Sequence, residues 1–271
     1  MWAPHRLAAV VILGATLVNG QNSTTGNTTI CKNSDLNFNN SNVDAVLSCI
    51  KNNPHPPYPY KLFIDRWYQG ALAIPGIVNA FQIAFYGPYS WTRDSVLGGR
   101  TPTPTDLLNL TSLDLPDLEN IVASFFIEWA GKLSDLNVPK LTTISEALVL
   151  NLVGGPAINL SFPSLKYVEW GVFSNGTIDS IELPALNHTL TVEVFSTGEL
   201  DCNAFAASVV NATPAYNVAF DLGSNTSVIC NSKKGNVTAF KPDSVSSSRS
   251  SKTVANLLLW SAVVGCISSV A

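Results

Sequence analysis

The chain has 271 residues, 46% of them hydrophobic and 13% charged, and its formal net charge at pH 7 is −4. A surplus of acidic residues repels the phosphate backbone, so nucleic acid is excluded as an expected partner. The length and the hydrophobic share allow a domain with a substantial core.

The start of the chain, positions 1–20, has the pattern of a secretory signal. His5 and Arg6 give a weakly basic start, residues 7–18 are mainly apolar, and residues 18–20 form a cleavage site. The rest of the chain is therefore expected to leave the cytosol.

The end of the chain has the order of a GPI-attachment signal. The serine-rich stretch 244–248 and the polar spacer 249–253 precede the uncharged, apolar segment 254–271. A transmembrane helix is the alternative, because an apolar segment of about 18 residues can just span a bilayer. No Lys or Arg follows the segment to hold a cytoplasmic end, which favours the anchor. The candidate attachment residues are Ser244, Ser246, Ser247 and Ser248.

Removal of both signals leaves roughly 225 residues, enough for one domain but tight for two. Arg6, Arg249 and Lys252 leave with the signals, so 12 basic residues remain against 19 acidic ones. The mature net charge is then about −7, which strengthens the exclusion of nucleic acid.

Four of the five cysteines remain, because Cys266 lies in the apolar tail. In an oxidising compartment these four predict disulfides, for which three connectivities are possible. The local pairing joins Cys31 to Cys49 and Cys202 to Cys230. Each of those loops corresponds to a stabilisation of about 3 kcal/mol.

The chain contains ten Asn-x-Ser/Thr sequons, which mark acceptor sites for N-linked glycan in a secreted protein. A chain rich in Asn, Ser and Thr forms some of these by composition, so about half are expected to be occupied. The asparagines are Asn22, Asn27, Asn39, Asn109, Asn159, Asn175, Asn187, Asn211, Asn225 and Asn236.

A short pattern occurs four times, with proline at its fourth position. The copies are LDLPDLENI, LNVPKLTTI, LSFPSLKYV and IELPALNHT, and they contain Pro116, Pro139, Pro163 and Pro184 in turn. At offsets −3, −1, +2 and +5 from proline, 15 of 16 residues are apolar, so the pattern exceeds the 46% of the whole chain. A fainter fifth copy, LAIPGI, contains Pro75.

The regular spacing of these prolines predicts a stacked solenoid, the architecture of repeats with a period of roughly 20–29 residues. Each copy opens with an apolar-polar-apolar strand, and proline marks the bend after it because it cannot donate to a ladder. A second strand is expected at 125–127, 148–150, 172–173 and 191–194. One coil buries too little apolar surface to offset its backbone entropy, so the coils can fold only as a stack. The leucines at offset +2 from each proline, Leu118, Leu141, Leu165 and Leu186, are expected to form one interior column.

The sequence thus predicts an all-β protein, a parallel β-solenoid or β-helix of about five coils of about 21–24 residues, with short capping helices and disulfides at its ends. One helix is expected over 43–50, with Ser41 or Asn42 as N-cap, and another within 201–210. The expected segments are a signal peptide (1–20), a glycosylated N-terminal segment with the first helix (21–60), the solenoid (61–200), a C-terminal cap (201–240), a short Ser-rich linker with the attachment site (241–253) and the removed tail (254–271).

These motifs together resemble the fungal GPI-anchored cell-wall organisation glycoproteins. The resemblance rests on the Leu-x-Leu-Pro-x-Leu-x-x-Ile/Val repeats, an early cysteine pair around a short helix, a late DCNAF followed by one cysteine, and the two signals. It covers most of residues 31–230, although 54–105 match poorly and a long Ser/Thr-rich stalk is nearly absent. The repeats of that family are similar to receptor L-domains and leucine-rich repeats. The resemblance implies a location at the plasma membrane and wall, a role in wall integrity or assembly, and no established catalytic activity.

The chain contains no HExxH, GxSxG, GxGxxG or paired CxxC motif, and its four mature cysteines are expected in disulfides, so no catalytic residue, metal site or cofactor is expected. Glu128 and Glu169 both precede a tryptophan, but they lie at offsets +12 and +6 from their prolines and thus on different walls. Both are expected to be solvated edge residues. His188 is expected in a surface loop.

Aromatic residues are concentrated between positions 58 and 91. Their rings could stack on sugars, which makes Trp67, Tyr68, Tyr86 and Trp91 candidate ligand-binding residues. The alternative is that the rings fill a wide core in irregular first coils.

The sequence favours a GPI-anchored, N-glycosylated protein with a structural role in the cell wall, held to the membrane by its lipid and in contact with wall polysaccharide or wall proteins. A receptor-like module that binds carbohydrate or protein is the alternative. A secreted polysaccharide-active enzyme is the third, less favoured interpretation.

Overall fold

The computed structural model describes residues 35–53, 59–65, 67–85, 108–214 and 227–241. These residues form a parallel β-solenoid of about six coils, so the predicted fold class is confirmed. In chain order the elements are β1 (Asp35–Phe38), α1 (Val43–Asn52), β2 (Tyr60–Ile64), β3 (Gln69–Ala73), β4 (Asn79–Phe85), β5 (Asn109–Asp114), β6 (Asn120–Ile121), β7 (Phe125–Ile127), β8 (Asp135–Asn137), β9 (Thr143–Ile144), β10 (Ala147–Leu152), β11 (Ile158–Ser161), β12 (Tyr167–Val168), β13 (Gly171–Gly176), β14 (Ile178–Glu182), β15 (Thr191–Ser196), α2 (Cys202–Val209), β16 (Val228–Ser232) and β17 (Gly235–Ala239).

The strands stack in three ladders, one on each wall of the coil. The five-stranded sheet has the order β14-β11-β8-β5-β3. The short ladder joins β4, β6, β9 and β12, and the long ladder runs from β1 through β2, β4, β7, β10, β13 and β15 to β16. All neighbours are parallel except β17, which pairs antiparallel with β16 at the end of the long ladder. The stacked strands begin at Asp35, before residue 61 where the sequence analysis started the solenoid.

The prolines lie at the corners predicted from the repeat. In all four copies the leucine at offset +2 donates its N–H to the carbonyl just before proline, at 3.1–3.3 Å. Proline is thus the second residue of a β-turn, a position that needs no N–H and favours its fixed φ. In the fifth copy Gly76 follows Pro75 with a φ of 85°, the left-handed conformation that glycine allows in a type II turn.

The interior is apolar from coil to coil. Leu118, Leu141 and Leu165 are fully buried in one core cluster, and Leu186 in the last copy is half-buried against it. On the long ladder, one inward column contains residues that pair in register and are all buried: Ile83, Phe125, Leu148, Val172, Val192 and Val228. Each coil therefore supplies the apolar floor for the next.

Both predicted capping helices are present. α1 begins at Val43 as predicted. The side chain of its N-cap, Asn42, donates to the carbonyl of Asn37 in β1 and accepts the N–H of Asn39. α2 is capped by Asp201, whose Oδ1 accepts from the N–H of Ala204 at 3.0 Å. No helix within the described segments is long and apolar enough to cross a membrane.

One predicted disulfide is confirmed, and one cysteine of the other is disulfide-bonded. Cys202, the first residue of α2, is bonded to Cys230 of β16 with an S–S distance of 2.03 Å. This bond ties the C-terminal helix to the long ladder. Cys49 of α1 is also disulfide-bonded, and its predicted partner Cys31 lies outside the described residues.

We predict opposite effects for two buried serines of the long ladder. Ser174 interrupts an inward apolar column, and within the described part of the chain its Oγ has no hydrogen-bond partner. Ser196 Oγ donates to the carbonyl of Ile178 at 2.6 Å and accepts from the N–H groups of Ile178 and Gly198. In urea titrations, Ser174→Ala should leave the free energy of unfolding unchanged or raise it by up to about 1 kcal/mol, whereas Ser196→Ala should lower it by about 1–3 kcal/mol. Equal losses would contradict the prediction.

Candidate functional site

The predicted ligand-binding residues do not form one site in the described segments. Trp67 is 59% exposed between β2 and β3. Tyr68 is buried, and its hydroxyl donates to the carbonyl of Ala71 at 2.8 Å. Burial raises the pKa of Tyr68, as expected for a core phenol. The ligand-binding prediction for Tyr68 is therefore wrong, because its ring is turned into the core. Tyr86 and Trp91 lie outside the described residues.

The short ladder instead presents a row of outward side chains that the sequence analysis did not single out. Register pairing aligns one residue from each successive coil on this wall. Two positions further along the first two coils, two large apolar side chains are exposed. We call this set the ladder face; its members are Asn79, Phe81, Asn120, Val122, Thr143, Tyr167 and His188.

Contacts between coils hold these side chains in place. Asn120 Nδ2 donates to Asn79 Oδ1 at 3.0 Å. The rings of Tyr167 and His188 stack with their centroids 4.5 Å apart and an angle of 8° between their planes. These four side chains of the ladder face are therefore arranged before any ligand binds, which lowers the entropy cost of binding.

The chemistry of the ladder face suits a polar ligand with apolar faces. Phe81 and Val122 are 37% and 47% exposed, and neighbouring strands of a sheet stand about 4.8 Å apart. The ammonium group of Lys61 lies 5.1 Å from the centre of the Phe81 ring. Amides and an ammonium can bond to hydroxyl groups, while the ring and the valine can contact C–H surfaces. Sugars combine both kinds of surface.

The repeat frame contains a signal that would have found the ladder face. Asn79, Asn120, Thr143, Tyr167 and His188 each lie at offset +4 from their proline, and Phe81 and Val122 lie at offset +6 from theirs. Positions of equal offset occupy the same column once the coils are stacked. The residues of the outward columns could therefore have been predicted from their offsets to proline, as the inward residues were.

His188 and Glu169 meet at the last coils of the ladder face. His188 Nε2 lies 3.9 Å from Glu169 Oε2, and both side chains are about 40% exposed. His188 was expected in a surface loop. It instead forms a single parallel bridge with Tyr167 and so adds one more residue to the short ladder. Glu169 is partly solvated, as expected. The adjacent Trp170 is 50% exposed and widens the aromatic surface.

Glu128 differs from the expectation of a solvated edge residue. It directly follows β7 and is only 6% exposed, so the prediction is wrong. Burial raises the pKa of Glu128 to about 7. Its distance from the proline assigned it to a wall of the coil, but that distance does not report how far the side chain is buried.

The backbone next to Glu128 is held in a rare conformation. Trp129 has a φ of 60°, in the left-handed region that a bulky residue seldom adopts. Its carbonyl accepts the N–H groups of Leu108 and Gly131, both at 2.8 Å. A carboxyl with a raised pKa beside a strained residue is a pattern found at active sites.

Glycoside cleavage also needs a second carboxyl nearby. Glu169, the other acid considered, follows β12 and therefore lies on a different ladder from Glu128.

The described sequons differ in exposure. Four of the ten asparagines are exposed: Asn159, Asn187, Asn211 and Asn236. Three are half-buried, namely Asn39, Asn109 and Asn175, and three lie outside the described residues, namely Asn22, Asn27 and Asn225. The exposed ones can carry glycan without displacing a neighbouring coil. Whether each is occupied stays a prediction.

Comparison with known proteins finds no match: no family model fits the chain, and no curated protein or solved structure is significantly similar to it. Across the described ranges no group of three or more His, Cys, Asp or Glu side chains is placed to hold a metal ion. Function is therefore inferred from the fold, the surface chemistry and the two terminal sequence patterns.

The raised pKa of Glu128 predicts a pH-dependent stability. Between about pH 4.5 and 7 the folded protein retains a proton that the unfolded chain loses, so the free energy of unfolding falls as the pH rises through this range. Glu128→Gln removes the charge, and at pH 8 it should be more stable than the wild type by about 1–3 kcal/mol. At pH 4 the two proteins should differ little. Urea titrations at both pH values measure this difference.

Glu182→Gln serves as the control, because Glu182 is exposed on β14. It should follow the wild type at both pH values. A difference between Glu128→Gln and the wild type that is the same at pH 4 and pH 8 would show that Glu128 is not buried as a neutral acid.

Proposed function

We propose that the protein is a GPI-anchored, N-glycosylated component of the cell surface or cell wall with a structural role in wall organisation or integrity. The observation that carries this proposal is a regular solenoid, closed by short helices, whose surface exposes several sequon asparagines. The secretory pattern at residues 1–20 and the apolar segment 254–271 support transport to the surface and attachment there. The motifs shared with fungal cell-wall organisation glycoproteins support the same role.

The architecture suits a load-bearing or spacing element. About six coils at about 4.8 Å give a stack roughly 29 Å tall. Side chains outside the core also connect neighbouring coils: Asn137 bonds to Asp114 at 2.8 Å, and Lys140 bonds to Asp117 at 2.9 Å. Because backbone ladders on three walls and these side-chain bonds all connect adjacent coils, the stack resists bending. Glycan on its exposed asparagines would add bulk and solubility.

The ladder face favours a second, related function, which is binding of wall carbohydrate. Phe81 and Val122 are exposed beside amide and hydroxyl groups on consecutive coils. The repeat of this chemistry along the stack matches an extended polymer better than a compact small molecule. A structural protein with such a face could attach to wall polysaccharide directly, and a receptor-like module would use the same surface for recognition.

The anchor is tested by releasing the protein from intact cells. Phosphatidylinositol-specific phospholipase should shift the full-length protein from the cell surface to the medium, because a GPI anchor is held by its lipid alone. A variant that ends at residue 253 should be secreted without the enzyme. A protein that stays on cells after phospholipase treatment, and needs detergent for release, would indicate the transmembrane alternative.

Carbohydrate binding is tested with insoluble wall polysaccharides, namely β-glucan, chitin and mannan. We expect Phe81→Ala to weaken binding to one of them about five- to tenfold, through loss of a ring that contacts the sugar. Trp67→Ala is the matched control, because it removes an exposed ring outside the ladder face. Loss of binding with Trp67→Ala alone would place the site at the turn between β2 and β3 instead of on the ladder face. Release of reducing sugar by the wild type, abolished in Glu128→Gln, would instead indicate an enzyme.

A further inference from the structure

The five-stranded sheet ends at β14, which pairs only with β11 among the described strands. The chain then forms β15 on the long ladder and continues into α2, where another coil would begin with a strand above β14. A helix therefore replaces the next strand. Between β14 and α2 it leaves an open groove of about 390 Å³.

Among the described residues no strand pairs with the outer edge of β14. The carbonyl of Glu182 accepts the N–H of Phe162 next to β11, so Glu182 bonds towards β11. Because successive residues of a strand point their backbone groups to opposite edges, the N–H and C=O of Ile181 and the N–H of Leu183 face the groove. Backbone groups that no neighbouring strand pairs are a template for another strand.

The first part of this edge is already closed, which defines where the open part begins. Ser196 Oγ bonds to both the N–H and the C=O of Ile178. Asp179 Oδ1 accepts the N–H of Glu199 at 2.9 Å. The open part therefore runs from Ser180 to Leu183.

The edge strand at the opposite end of the same sheet is protected, in contrast to β14. The side chain of Asn40 forms two bonds with the backbone of Gln69 in β3, one to its N–H and one to its C=O, both at 2.8 Å. The hydroxyl of Tyr68 covers the carbonyl of Ala71. These side-chain hydrogen bonds replace those that a neighbouring strand would form with β3. Within the described residues, β14 has such cover at its first residues only.

The groove has an apolar floor and an acidic rim. Ile181, Leu183 and Phe205 line it and are all buried. The carboxyl-bearing residues around it are Asp179, Glu182, Glu199 and Asp201, against one cation, Lys234, among the described residues that line it. Asp179 and Asp201 bond to backbone N–H groups, and Glu199 lies 3.5 Å from Lys233, so Glu182 is the carboxylate best placed to meet an incoming cation.

We propose that this groove binds an extended, Lys- or Arg-containing segment of a partner protein, which adds as a strand along β14. The backbone of the segment would bond to Ile181 and Leu183, as in other cases of strand addition. Alternate side chains would point to the apolar floor, and the basic ones would meet the acidic rim. A second copy of this chain is disfavoured as the occupant, because two acidic rims would repel each other. Strand addition at β14 requires neither a membrane anchor nor wall carbohydrate.

The test uses the purified full-length protein and a labelled peptide of about seven alternating valines and lysines, long enough to span β14. Fluorescence anisotropy should show saturable binding that weakens as salt is raised. The same peptide with alternate backbone nitrogens methylated should bind at least tenfold more weakly, because it cannot form the strand ladder. A peptide with glutamate in place of lysine should also bind at least tenfold more weakly.

Two matched variants locate the site on α2. Ala204 and Ala207 are both exposed on the helix, but only Ala204 lines the groove. Ala204→Trp should fill the groove and reduce affinity at least tenfold, whereas Ala207→Trp should bind as the wild type does. Glu182→Lys should weaken the lysine peptide and strengthen the glutamate peptide. Circular dichroism checks that each variant is folded.

Several outcomes would overturn the proposal. These are no saturable binding up to about 1 mM peptide, equal binding of the methylated peptide, or equal effects of the two tryptophan substitutions. Sedimentation that shows a dimer of the wild type, lost in Ala204→Trp, would assign the groove to a second copy of the chain. The phospholipase and polysaccharide experiments are unaffected by any of these results.

Discussion

Register between neighbouring coils is the constraint on which the rest of the structure depends. A coil of about 22 residues cannot offset its own backbone entropy, so its strands persist only when they bond to the coils on either side. Side chains alternate along a strand, and a slip of one position would turn Phe125 outwards and Phe126 inwards. Burial on the inside therefore fixes what is displayed on the outside. The ladder face and the open edge of β14 both follow from that alignment.

The regular part of the fold could be predicted because inward positions must be apolar in every coil. Proline marks the corner, because it is tolerated only at a position that makes no ladder hydrogen bond. The leucine two residues after it marks a core position. The strands Phe125–Ile127 and Thr191–Ser196 lie where this frame placed them. The pairing of Cys202 with Cys230 was one of three possible connectivities, and it joins α2 to the strand on which the helix packs.

The candidate site was predicted less well because outward positions carry no common chemistry. Asn79, Thr143 and His188 share a column but no property that a search for apolar repeats would detect. Tyr68 shows another limit. An aromatic residue next to exposed Trp67 looks like part of a binding surface, yet its hydroxyl closes the backbone edge of β3. Glu128 shows a third limit, because its offset from the proline does not report that its side chain is buried.

The two ends of the five-stranded sheet show why a capped solenoid can still bind a further strand. A cap has two tasks, which are to cover the apolar core and to satisfy the last strand's backbone groups. At β3 the side chains of Asn40 and Tyr68 perform the second task. At the other end α2 buries Phe205 and Val209 against the core, and the antiparallel β17 closes the long ladder. A helix has already used its own backbone groups, so α2 cannot pair with β14. The core is therefore covered, while no described strand pairs with the edge beside it.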